Sequence, residues 1–441
     1  MKQYIDFFNS HRQKIEENCS SLLNDFRKKA FETFQEEGFP AYLSEDYRHT
    51  NVSDCLQADY GFYLDRSAIK IDPSRNFHCN LPHLNSHGYF LINGHFFEEK
   101  ANNSLPAGVF SGSLNRFAEQ YPDVFLKYYN QQAASKGNGL TAFNTVFVQD
   151  GYILYIPKNT VIDSPLQLSN LFVGTNNALV NRRILIILES GAQAKLLLCD
   201  HTADENPAFA GTQVSEIYVG ENAVFDLYEL EESSKKTVRL NNLFIQQETS
   251  SSVMSNSITL SNGTTRNNYR VDLNGEHAEI HLNGLAIADD HQKIDNFTLI
   301  RHHVPNGKSN ELFKYVLDEN AVGAFDGRII VAQNAQKTEA YQNNRNLLNS
   351  NSCRMYAKPQ LEIYADDVKC SHGITTGQLD ENALFYLRSR GIPETEAALL
   401  LKFAFTNDVI QSIRIDSLKD RLKLLVEKRF RGEGIRCQAC I

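Results

Sequence analysis

From about residue 140 to 375 the chain reads as one short strand after another, with no helical period across more than 200 residues. Segments such as "GYILYIPKN", "RRILIILESGAQAKLLLCD", "SEIYVGENAVFDLYEL" and "RVDLNGEHAEIHLNGLAI" are rich in β-branched and aromatic residues and often alternate. Asn-Gly, Ser-Gly and Asp-Glu-Asn turns punctuate them. A doubly wound α/β fold needs helices between its strands, so the pattern argues against one. The corners repeat loosely: "ESGAQAKL", "GENAVFDL", "GEHAEIHL" and "DENAVGAF" each place a turn, then Ala, then an alternating strand. Ala192, Ala223, Ala278 and Ala321 lie 31, 55 and 43 residues apart, intervals that suit one or two irregular coils of a solenoid. A β-helix fits better than a sandwich, because a small residue at the corner followed by inward apolar residues is what stacked coils need.

The flanks differ. Ile15, Leu22, Leu23, Phe26, Ala30 and Phe34 recur at helical intervals, and Gly38-Phe39-Pro40 stops the run. Residues 50–110 show little periodicity and many turn residues. After residue 378, "LDENALFYLRSRGIP" reads as a short helix closed by Gly391, with Pro393 opening the next. "ETEAALLLKFAFTNDVIQSI" continues as an apolar helix, and Ile415, Leu418, Leu422 and Leu425 space a third. The expected architecture is mainly β: an N-terminal helical and mixed region (1–110), a β-helix core (111–377) and a C-terminal helical region (378–441). The last is expected to seal the solenoid end, and its apolar surplus near 399–405 to serve a protein partner.

A net charge of −9 disfavours a nucleic-acid or anionic-membrane binder. No apolar run is long enough to span a bilayer and the N-terminus lacks a signal-type apolar stretch, so a cytoplasmic protein is expected. Eight irregularly spaced cysteines do not resemble a disulfide framework.

Several motifs could carry chemistry. "HHVPNGKS" ends like a phosphate-binding loop, but His302 replaces its first Gly, so a turn at Asn306-Gly307 is expected and no bound nucleotide. His78, Cys79, His83 and His87 cluster without a paired CxxC, and His277 and His281 share a strand face; both sets read as structural. Cys437 and Cys440 form a CxxC without a second pair. Asp226, Glu229, Asp272, Glu279 and Asp326 are candidates for the acid chemistry of polysaccharide-cleaving β-helices, yet nothing singles out a pair. In "ADDVKCSHG", Cys370 and His372 would share one face of a strand. A thiol and an imidazole suit a soft ion or cluster, but two donors fall short of the usual four. A Cys that merely packs is the alternative.

"EIYADDVKCSHG" joined to "GQLDENALFYLRSRGIP" closely resembles the SufB/SufD family of iron–sulfur cluster assembly scaffolds. "FNTVFVQDGYILYIPKN" and "PLQL" resemble that family's entry into its core. The resemblance covers roughly 140–430, and "KCSHG" with the modest length is most similar to the SufD branch. It implies a β-helix between helical ends and a non-catalytic role. It also implies a SufB-like partner bound through the core, and a SufC-like ABC ATPase bound through the C-terminal helices. ATP hydrolysis by that ATPase would open the interface so that a transient iron–sulfur cluster can assemble there. The implied ligand is His372, with Cys370 its motif companion and the remaining ligands supplied by the partner. A homodimer in isolation, a SufB-like paralogue carrying the main ligands, and a carbohydrate-active enzyme are the alternatives.

Overall fold

The computed structural model describes residues 1–64, 69, 87–98, 105–203 and 205–433. Its centre is a solenoid of two parallel sheets, and the chain passes from one to the other at every half coil. The ladder sets Val224 beside Ser252, then Glu279, Lys308, Glu339 and Lys369, so one coil takes 27–31 residues. That step explains two of the three alanine intervals. Ala192, Ala223 and Ala278 occupy one stacked corner, and Ser251 fills the coil between the last two. The 43-residue step leads instead to Ala321, which turns into the opposite sheet. All four alanines are fully buried.

The corner needs more than a small residue. Gly191, Asn222, Ser250, His277, Asn306 and Lys337, one per coil, all have positive φ. Asn, Ser and Gly tolerate this left-handed bend through a short side chain or none. Each bend also pairs with the next coil, as when Asn222 N–H donates to the Thr249 carbonyl and Ser250 N–H to the Glu276 carbonyl. Stacked turns leave few orphan backbone groups, which is what allows coils to repeat.

Both outer faces are covered, so strands such as Ala178–Leu188 and Phe209–Val219 are buried along their whole length instead of alternating. Helices Lys2–Glu17 and Ser21–Glu37, with four shorter helices between Leu114 and Phe147, cover the first sheet. These four lie in the span assigned from sequence to the solenoid. They include the helix Gly139–Phe147, which is buried on every side. Asn138 starts it, accepting from the Leu140 N–H while Thr141 Oγ1 accepts from the Asn138 N–H.

The C-terminal helices Glu394–Gln411 and Asp416–Phe430 cover the second sheet and do not seal the solenoid end as expected. Val409, Ile410, Leu418, Leu422, Leu425 and Val426 pack on Leu197, Tyr228, Ile258, Leu285 and Val316, which point outward from successive coils. Burying this row of outward apolar residues sets the helices along the sheet. Polar ties fix the docking: buried Lys314 Nζ lies 2.6 Å from Asp408 Oδ2 and 2.7 Å from the Phe405 carbonyl, and Arg414 lies 3.0 Å from Asp226. Among the described residues, nothing therefore covers the last coil, strands Arg354–Ile363 and Lys369–Gly377, where the solenoid ends. None of the described helices is long and apolar enough to cross a membrane.

Candidate functional site

Cys370 and His372 lie on that uncovered last strand. The ladder sets them beside Ala340 and Gln342, both fully buried, so both side chains belong to the lumen face, as the i, i+2 spacing predicts. Cys370 is half-buried and packs on the solenoid core. Burial pushes its thiol above the usual cysteine range, partly offset by a backbone hydrogen bond at Ala340. A thiolate there needs a cation to stabilise it, as a bound metal does. His372 is exposed at the mouth. Among the described residues no group of three His, Cys, Asp or Glu side chains is placed to hold a metal. The pair therefore supplies two donors of nitrogen and sulfur, fit for iron, and leaves the remaining positions open.

Among the described residues no strand pairs with the outer side of this edge. Lys369 N–H bonds the Thr338 carbonyl, so by the alternation of a parallel ladder the N–H groups of Cys370, His372, Ile374 and Thr376 point away from the sheet. On the neighbouring edge Arg354 N–H bonds the Ala321 carbonyl, which turns positions 355, 357, 359, 361 and 363 outward. Pro359 falls on one of these, where its missing donor costs no ladder bond and blocks continuous pairing. The edge Lys369–Gly377 has no such interruption and is a template for another strand. Exposed Tyr341, Tyr356, Ile363, Tyr364 and Ile374 add apolar surface to this end. Helix Glu381–Ser389 follows directly, with no buried residue and with Phe385 and Tyr386 more than half exposed.

The other candidates are dispersed. Asn306 and Gly307 form the corner turn expected of them, and His302 packs inside against Ser309 at 2.9 Å. His277 is a left-handed corner residue and does not share a strand face with His281, since the strand begins only at Glu279. His281 pairs with Glu279 at 2.9 Å. His78, Cys79, His83, Cys437 and Cys440 lie outside the described residues, as does the side chain of His87. Among the described cysteines none is disulfide-bonded.

The carboxylates proposed for sugar chemistry do not converge. Glu229 is inside the solenoid, 3.4 Å from Arg239, whereas Asp226 faces outward toward Arg414. Asp272 lies on the outer face of the other sheet. Burial there favours the neutral acid, but hydrogen bonds from His303 (2.7 Å) and Lys136 (2.6 Å) prevail and hold its pKa at about 2. Such a carboxylate is a poor general acid. No two of these five are placed as an acid–nucleophile or acid–base pair.

Two polar residues escaped the sequence reading. Gln342 and Glu311 lie directly beneath His372 in the two preceding coils, both fully buried. Nothing in the local sequence marks them, because coil-to-coil register is invisible at a spacing of about thirty residues.

A two-sheet parallel solenoid with helices on both flanks thus carries a soft-donor pair at its last, strand-accepting coil. The comparisons name the class. A model of the "SUF system FeS cluster assembly, SufBD core domain" matches residues 171–405, and one of the "SufBD protein N-terminal region" matches 1–168. An iron–sulfur cluster assembly SufBD family protein of Synechocystis is 30% identical over 420 residues, covering 93% of this chain and 91% of its own. SufD of Escherichia coli is 33% identical over 275 residues (61% of this chain, 64% of its own). SufD of Bacillus subtilis is 26% identical over 328 residues, 74% of each chain. The chain belongs to the SufBD family of iron–sulfur cluster assembly proteins, and within it is SufD-like.

Proposed function

We propose that this protein is a non-catalytic scaffold subunit that pairs with a SufB-like chain through its bare solenoid end and helps hold a nascent iron–sulfur cluster there. The observation that carries this reading is the free edge Lys369–Gly377, which presents outward N–H groups and carries His372 on its lumen face. A cluster needs about four ligands, and this strand offers at most two. His372, and Cys370 once deprotonated, would bind the cluster as cargo, and the paired chain would contribute the rest. A ligand shell divided between two chains loses half its donors when the chains separate, which suits assembly followed by release.

The C-terminal helices are the docking surface for a SufC-like ABC ATPase. Their support is apolar surface left over after packing: Leu400 and Leu424 are each more than 40% exposed, beyond Phe385 and Tyr386 on the preceding helix. Coupling runs through contact, since helix Glu381–Ser389 follows the edge strand after only three residues.

Pairing is tested by Ile374→Pro. Position 374 points its N–H to the free edge, so proline leaves the ladder to Glu339–Leu347 intact while removing a donor from the new interface. Co-expressed with SufB-like and SufC-like chains, the wild type is expected to co-purify with the SufB-like chain. The variant should remain folded and lose that chain by at least about tenfold, equal to 1.4 kcal/mol. Unchanged co-purification would place the interface elsewhere. A stable homodimer of the wild type that excludes the SufB-like chain would contradict the hetero-pairing.

A further inference from the structure

We propose that Gln342 and Glu311 orient the imidazole of His372, fixing which ring nitrogen is free to bind the cluster; this rests on His372 being a cluster ligand. The parallel ladder stacks Glu311, Gln342 and His372 at one register in three successive coils. Gln342 Nε2 donates to Glu311 Oε2 at 2.5 Å. Because an ionised carboxylate only accepts, this bond sets the amide nitrogen toward the interior and leaves the amide oxygen for another donor. Gln342 Oε1 is buried and has no hydrogen-bond partner among the described residues. A buried carbonyl left unsatisfied is costly, so it marks a contact still to be made. The residue that the ladder places over this amide is His372, and an imidazole N–H is a donor of the required kind.

The seat for the amide is itself built. A Cβ at Gly327, on the facing strand, would lie 2.3 Å from Gln342 Nε2, so the glycine keeps the space the amide occupies. The result is a polar column from the interior to the mouth, ending at the residue proposed to bind iron.

The chemical consequence concerns the tautomer. A metal-bound histidine generally donates its second ring N–H to a carbonyl or carboxylate, which fixes the ring and makes the other nitrogen a better donor. Covering the mouth with a partner would remove water from His372, and the second ring nitrogen must then be satisfied from within this chain. Gln342 does so. It is a positioning residue, touching the imidazole and not the cluster, and Glu311 positions it in turn.

The test uses the full chain with 15N-labelled histidine at pH 8, the His372 signals being assigned by their loss in His372→Ala. The wild type is expected to hold one tautomer in clear excess. Gln342→Met, which keeps the volume and removes the carbonyl, should return the ring to a free-imidazole mixture. Gly327→Ala, which displaces the amide from the facing strand, should shift it the same way and serves where Gln342→Met fails to fold. In the purified complex with SufB-like and SufC-like chains, a chelator should strip iron from either variant about tenfold faster than from wild type. A tautomer ratio or a stripping rate that equals the wild type in both variants overturns the proposal, even if His372→Ala loses iron. Loss of tautomer preference together with full iron retention in His372→Ala refutes the cluster reading instead.

Discussion

Replacing Glu216 with alanine is expected to destabilise the protein by about 4 kcal/mol, the range for breaking a fully buried ion pair. Glu216 Oε2 lies 2.7 Å from Arg183, and neither side chain is exposed at all. The same carboxylate accepts backbone N–H groups from Asn130 (2.8 Å), Gln132 (2.9 Å) and Ala133 (3.1 Å). It therefore joins the outer face of the first sheet to the start of helix Gln131–Lys136. Alanine leaves three donors without an acceptor and a guanidinium without a counter-charge, stacked 4.7 Å from the Tyr129 ring. Glu216→Gln keeps an acceptor and should cost roughly half as much. Combining Arg183→Met with Glu216→Leu should recover much of the loss, because the isolated charge and not the missing attraction dominates. Denaturant midpoints measure all three. A cost below about 1 kcal/mol for Glu216→Ala would mean that the N-terminal helices are not held through this pair.

Glu311→Gln is expected to stabilise the protein, and only above mildly acidic pH. Burial lifts the Glu311 carboxyl from 4.5 to about 7, against the hydrogen bond from Gln342 and the nearby Thr298 hydroxyl, which favour the charged form. Among the described residues no charged neighbour contributes to the shift. A carboxyl whose folded pKa is raised adds stability that is complete below its unfolded value, near 4.5, and is lost as pH rises through the folded value. The wild type therefore loses about 3 kcal/mol relative to Glu311→Gln between pH 4.5 and 7, and the gap is constant above. The glutamine carbonyl still accepts from Gln342, so the column survives. Melting curves at pH 5 and pH 8 measure this: the variant should melt close to wild type at pH 5 and clearly above it at pH 8. An equal difference at both pH values would show that Glu311 does not titrate in this window.

Much of this architecture was legible, for reasons that can be located. Corner alanines and turn residues repeat because every coil must bend at the same place, so Ala192, Ala223 and Ala278 reported the coil length directly. The pairing of Cys370 with His372 on one face followed from strand geometry alone. Other features had no local signal. The nine-residue helix Gly139–Phe147 is shorter than the window over which a helical period is read. The C-terminal helices were expected at the solenoid end, but the row of outward Leu197, Tyr228, Ile258, Leu285 and Val316 that seats them emerges only when coils are stacked. Gln342 and Glu311 were missed for the same reason: their relation to His372 is one of register and not of sequence distance.

The proposed role of this subunit is to contribute to a shared cluster through His372. Its most direct test is the iron and acid-labile sulfide content of the anaerobically purified complex with SufB-like and SufC-like chains, with and without His372→Ala. His372 is exposed, so the variant is expected to fold and assemble as wild type does. A complex that assembles but has lost most of its iron and sulfide is the predicted result. Unchanged iron and sulfide in an intact His372→Ala complex would contradict it, and would leave the cluster to the partner chain alone.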